Sequence, residues 1–265
     1  MALEYLIGFI IAVFIALTGV GAGTITTPLL IVFLHVPTAV AVGTGLMFSA
    51  AVKFVLVPSQ ILRRQVSWRV LGFMLLGGLP GVLIGSLVLR HLDVSGPKQV
   101  LNGVLGAVLV LTAIWQIIFS FRTIKADETR KDRSRLLPLL MLPVGAEVGF
   151  SSAGAGALGT AALLSLTSLL PTQVVGTDIL FGFILSLVGS GAHGFSTTDH
   201  TGLLKHLIIG GLFGVVVGIF AAKWIPKRPL RFALWIWLLL IGMQFIYNNA
   251  IVRHPVSSTP IATSK

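Results

Sequence analysis

The chain has 265 residues, of which 55% are hydrophobic and only 10% charged, and its mean hydropathy is +0.98. A water-soluble domain carries about 25% charged residues, so this composition excludes one and defines an integral membrane protein. The formal net charge of +11 would suggest nucleic acid in a soluble protein. Here the excess sits in short loops between apolar runs, beside anionic lipid, and no nucleic-acid partner is expected. There is no cysteine, which removes structural disulfides and thiolate metal sites, and nothing in the sequence asks for a cofactor.

In chain order, Met1-Ala2-Leu3-Glu4 lacks a basic n-region, and the uncharged run Tyr5–Leu34 is too long for a signal segment, so no cleavage is expected. That run contains Gly19-Val20-Gly21-Ala22-Gly23-Thr24-Ile25-Thr26-Thr27-Pro28. In a helix interior glycine costs about 1 kcal/mol and proline about 3 kcal/mol relative to alanine, so a broken helix is expected there. In lipid such a break is tolerated only where the freed backbone groups face protein or a wet cavity. A span follows from Ala39 to about Pro58 with Lys53 inside it, then a basic loop Arg63–Arg69 in which Trp68 resembles an interfacial anchor. Further spans are Val70–Leu89 and Gln99–Phe121, long enough to cross a bilayer. The polar stretch from Arg122 carries six Lys/Arg against Asp127, Glu128 and Asp132. After it come a second break, Ser151-Ser152-Ala153-Gly154-Ala155-Gly156, and spans at about Thr172–Gly194, Leu207–Ala222 and Phe232–Tyr247. The expected division is a first transmembrane repeat (1–121), a cytoplasmic linker (122–135), a second repeat (136–252) and a polar tail (253–265).

The two repeats are related by a spacing of 133 residues. Gly77-Gly78-Leu79-Pro80-Gly81-Val82-Leu83-Ile84-Gly85 meets Gly210-Gly211-Leu212-Phe213-Gly214-Val215-Val216-Val217-Gly218 at that spacing. So do Gly43-Thr44 with Gly176-Thr177, and Gly21-Ala22-Gly23 with Gly154-Ala155-Gly156. The expected fold is an all-α polytopic membrane protein with eight or more transmembrane segments in two homologous halves, each starting with a Gly-broken helix. Each broken segment crosses once, giving eight spans, or forms a hairpin, giving ten. Charge bias favours inverted halves. The loop that is basic in half one (Arg63, Arg64, Arg69) keeps only Lys205 in half two, whereas the Arg90–Lys98 loop becomes Lys223, Lys227, Arg228 and Arg231. Paired Gly-interrupted segments at matching positions point to a transporter's substrate site.

Gly19-Val20-Gly21-Ala22-Gly23 followed by Pro28-Leu29-Leu30, then Pro37 to Gly43-Thr44 and Gln65-Val66-Ser67-Trp68, resembles the sulfite exporter TauE/SafE family of membrane transporters. The resemblance covers most of the chain. It implies a secondary carrier in the cell inner membrane that exports small anions such as sulfite or organosulfonates. The first break reads Gly-Ala-Gly where a three-glycine run is common, and the second carries Ser151-Ser152.

With an anion as substrate, free N–H groups at half-helix starts supply about half a positive charge. Gly21, Gly23, Gly154 and Gly156 would admit the anion to the backbone, and Thr24, Thr26, Thr27, Ser151 and Ser152 would add hydroxyl donors. The bland alternative is close helix packing by small residues, and for Gly77–Gly85 and Gly210–Gly218 packing is the preferred reading. Charges inside the membrane are functional candidates by default. Lys53 would attract the oxyanion, or snorkel to a nearby face. Glu147 would bind a coupling proton, or cap a solvated helix end. Asp178 would carry a proton or pair with Lys53. His193 would act as a proton-sensitive gate, against a plain interfacial histidine. Rival functions are a passive anion channel, using the same donors to line a pore, and an intramembrane serine protease built on Gly149-Phe150-Ser151 with His193. The protease does not account for the duplication. No P-loop is present, which argues against ATP hydrolysis by the chain itself. The expected partners are a small anion and the lipid bilayer, with a homo-oligomer open.

Overall fold

The computed structural model describes residues 2–18, 22–95, 98–121, 133–153, 155–193, 201–221, 224 and 227–252. Every regular element among them is helical. The helices are α1 (Ala2–Thr18), α2 (Ala22–Leu34), α3 (Thr38–Leu62), α4 (Trp68–Ser95) and α5 (Lys98–Phe121). After a 3₁₀ turn (Ser134–Leu136) come α6 (Leu137–Ser151), α7 (Ala155–Leu166), α8 (Pro171–Ala192), α9 (Thr201–Ala221) and α10 (Lys227–Val252). Five stretches are long and apolar enough to cross a membrane: Thr38–Leu62, Trp68–Val94, Leu101–Ile118, Pro171–Ala192 and Gly202–Ala221. Leu3–Leu17, Gly23–Leu34 and Phe232–Tyr247 are shorter apolar stretches.

Both glycine-rich segments interrupt their helices. The first apolar run divides into α1 and α2, and the second into α6 and α7. Helix α6 stops because Ser152 turns into the left-handed region (φ 59°), while its N–H still reaches the Val148 carbonyl at 2.8 Å. Helix α2 ends in the same manner. His35 is left-handed (φ 52°) and the Val36 N–H returns to the Leu30 carbonyl at 3.1 Å, a six-to-one closure of the last turn. Helix α3 runs past the expected stop at Pro58 to Leu62. Pro58 is exposed and lies one turn from the helix end, where its missing N–H and its ring disturb only the last turns of α3.

Helix pairing follows from the small residues. A Cβ added at Gly77, Gly81 or Gly85 of α4 would overlap the carbonyl oxygens of Pro138, Leu142 and Ala146 on α6. In return Gly145 and Gly149 of α6 meet the Gly78 and Val82 carbonyls. Residue numbers rise together along both helices, so α4 and α6 run parallel at a separation only glycine permits. Helices α9 and α1 pair identically: Gly210 meets the Tyr5 carbonyl, Gly214 that of Phe9 and Gly218 that of Val13. At the start of this second pair His206 bonds the Glu4 carboxylate and stacks on Tyr5, ring centroids 4.6 Å apart. The packing expected of both glycine stripes is therefore observed. The three contacts of Gly77, Gly81 and Gly85 thus correspond to those of Gly210, Gly214 and Gly218, each partner displaced by 133 residues.

Helices α3 and α8 cross the middle. Gly43 lies beside His193, Ser186 donates to Ser49 at 3.1 Å, and the rings of Phe54 and Phe183 stand 6.3 Å apart. Numbers rise along one helix as they fall along the other, so the pair is antiparallel. Helices α5 and α10 are also antiparallel, with Gly106 against Gly242 and Phe245, and Gly242 against Val110. Two fully buried phenylalanines lock the crossings: Phe48 of α3 fills the space over Gly211, and Phe181 of α8 that over Gly78.

Candidate substrate site where the two breaks meet

Distant in sequence, the two breaks touch in space. A Cβ on Gly23, in the first turn of α2, would overlap the backbone and hydroxyl of Ser152. One turn on, the hydroxyls of Thr27 and Ser152 share a hydrogen bond of 2.5 Å. Gly45 of α3 completes the junction, since a Cβ there would stand 2.5 Å from Thr27 Oγ1 and 3.0 Å from Ser152 Oγ. Thr24, Thr26, Thr27, Ser151 and Ser152 are all buried. Ser151 is turned inward to its own helix: it donates to the Glu147 carbonyl at 3.0 Å and accepts the Ala153 N–H at 3.2 Å. It stiffens the break and has little left to offer a ligand. Gly21 and Gly154 lie outside the described residues. Gly156 lies within the first turn of α7.

Lys53 and Asp178 are both buried, on α3 and α8, within electrostatic reach of one another. Lys53 is two turns beyond Gly45, about 12 Å along the axis, so it stands off from the junction rather than in it. Asp178 Oδ2 accepts a hydrogen bond from Thr160 of α7 at 2.9 Å, and its other oxygen crowds Gly159. Glu147 points elsewhere. Its carboxyl accepts the Thr112 hydroxyl of α5 and lines a lateral cavity of about 670 Å3 whose walls include Val88, Leu111, Trp115, Met141 and Phe150. His193 caps α8, and its Nε2 lies 2.8 Å from the Gly149 carbonyl, in the last turn of α6 before the break. Three residues grouped as proton carriers thus occupy three separate places.

Sequence reading missed Gly45, Thr44 and Thr160. Thr44 Oγ1 is buried and makes no hydrogen bond among the described residues, so it is a spare donor one residue from the junction. A signal for Thr160 was present: shifting Thr27 by 133 gives Thr160, and shifting Gly45 gives Asp178. The same geometric niche therefore holds a threonine beside glycine in one half and a threonine beside aspartate in the other.

Membrane-length apolar helices around two interrupted segments, closing on a buried polar junction, make this a multi-pass membrane protein, and the relatives below make it a membrane transporter of the cell membrane. Residues 5–245 match the family model described as "Sulfite exporter TauE/SafE", and the chain belongs to that family. It is 30% identical over 253 residues to the "Probable membrane transporter protein YjnA" of Bacillus subtilis (strain 168), covering 91% of this chain and 98% of that one. It is also 28% identical over 108 residues to a "Probable membrane transporter protein" of Xylella fastidiosa (strain Temecula1), 41% of each chain. No solved structure matches.

Proposed function

We propose that the chain is a secondary carrier that exports a small oxyanion, sulfite or an organosulfonate, by alternating access, with the anion held between the two helix breaks. The observation that carries this reading is the junction itself, where the Thr27 and Ser152 hydroxyls are hydrogen-bonded and Gly23 and Gly45 pack closely against them. Half-helix starts beside a hydroxyl pair offer an anion donors without a fixed countercharge. The short Thr27–Ser152 bond joins the two halves across the site and would open when an anion enters. Lys53 draws the anion inward, and Asp178 keeps that lysine neutralised while the site is empty. Among Glu147, Asp178 and His193, Asp178 has the strongest claim to a coupling proton, because Thr160 ties it to α7, the helix that follows the second break.

The halves are read as inverted repeats. This reading is supported by equivalent helices that run antiparallel at their mutual contact, as α3 with α8 and α5 with α10 do, which suits a two-fold axis lying across the helices rather than along them. The opposed charge bias of the loops agrees. The test of function is uptake of labelled sulfite and of a small sulfonate into proteoliposomes, with and without an imposed pH gradient. Saturable flux that responds to the gradient is expected. Flux that never saturates would favour a passive anion channel, and no flux of either anion would remove the substrate claim.

A further inference from the structure

Away from the breaks, Arg69, Arg133 and Arg135 line one cavity of about 390 Å3 with Ser134 and Leu136. Arg69 is the second residue of α4, and the other two precede α6. Because α4 and α6 run parallel, both starts fall at the same end of the bundle, and arginines distant in sequence converge. Among the described residues none of the three has a carboxylate partner; Asp127, Glu128 and Asp132 lie outside them. Three guanidinium groups around one cavity repel each other, and an anion between them would relieve that repulsion. Guanidinium forks match phosphate oxygens in pairs, which lysine cannot do.

The rim of the basin argues for the source of that anion. Trp68 is 63% exposed, Leu136 49% and Leu139 74%, so apolar side chains border the arginines as acyl chains border a headgroup. The Arg133 N–H donates to the Leu166 carbonyl at 2.8 Å, which ties the basin to the end of α7. We propose that this basin is a phosphate-binding site, filled by the headgroup of an anionic phospholipid.

The test uses the full chain in neutral detergent, with binding and thermal unfolding measured against phosphatidylglycerol, phosphatidylcholine and inorganic phosphate. Phosphatidylglycerol is expected to bind and raise the unfolding temperature, phosphatidylcholine not. The triple variant Arg69→Gln/Arg133→Gln/Arg135→Gln should weaken phosphatidylglycerol binding by roughly tenfold or more, as loss of charge-assisted contacts requires. Arg69→Lys, which keeps the charge and the fold, should weaken it by less. Inorganic phosphate protecting at millimolar concentration as well as the lipid does would keep the phosphate site and overturn the lipid source. Equal phosphatidylglycerol binding by wild type and both variants would overturn the site. Because the readout is binding rather than flux, either result is independent of the transport proposal.

Discussion

The two halves of the molecule share a scaffold and differ in their polar content. The glycine-stripe contacts that fix the scaffold have counterparts at a spacing of 133: Gly81 on Leu142 corresponds to Gly214 on Phe9, and Phe181 over Gly78 to Phe48 over Gly211. Two threonines recur, Thr27 as Thr160 and Thr44 as Thr177, but the buried charges do not. Asp178 corresponds to Gly45, Lys53 to Ser186, Glu147 to Phe14 and Thr112 to Phe245. At each of these positions the other half carries glycine, serine or phenylalanine instead, so the shared scaffold does not call for these polar groups. Each charge is costly in the membrane, which makes these groups the functional candidates of the proposed carrier.

Four predictions test this contrast. The largest effect is expected at the buried charges. Asp178→Asn leaves Lys53 uncompensated and should destabilise the protein by about 3–5 kcal/mol. The double variant Lys53→Met/Asp178→Asn should recover much of that loss in thermal unfolding while sulfite flux stays low. Next come the scaffold glycines. Gly81→Ala and Gly214→Ala each drive a methyl into a carbonyl and should cost about 1–3 kcal/mol by equal amounts, as equivalent positions must. Thr27→Val or Ser152→Ala removes the hydroxyl bond of the junction, about 1 kcal/mol. Either should lower flux several-fold with little change in unfolding temperature. Smallest is the effect of giving two polar positions the residues of their counterparts in the opposite halves: Thr112→Phe/Glu147→Phe should leave stability within about 1 kcal/mol, read by detergent unfolding. A collapse of that variant would mean that the Thr112–Glu147 pair is structural.

The breaks were legible because glycine and proline are conspicuous in an uncharged apolar run, and the duplication because glycine stripes must keep their spacing to pack. Lys53 and Asp178 announced themselves as charges in lipid, and their mutual proximity was among the readings the sequence allowed. Gly45 was silent, since a lone glycine in a glycine-rich helix has no local signature and matters only for what it faces. The direction of Glu147 was silent for a related reason. Which face of α6 meets α5 depends on α6 docking along α4 through Gly145 and Gly149, a tertiary choice that periodicity in an all-apolar helix does not encode. The arginine basin was hidden because α4 and the turn before α6 are brought together only by the parallel pairing.

The central claim is that the anion passes between two breaks that are in contact when the site is closed. The chain has no native cysteine, so Thr27→Cys/Ser152→Cys introduces a unique pair at positions whose hydroxyls share a hydrogen bond of 2.5 Å, and oxidation should join them. Sulfite flux in proteoliposomes should stop on oxidation and return on reduction, with each single variant indifferent to both. A disulfide that forms fully and leaves the flux unchanged would contradict the account.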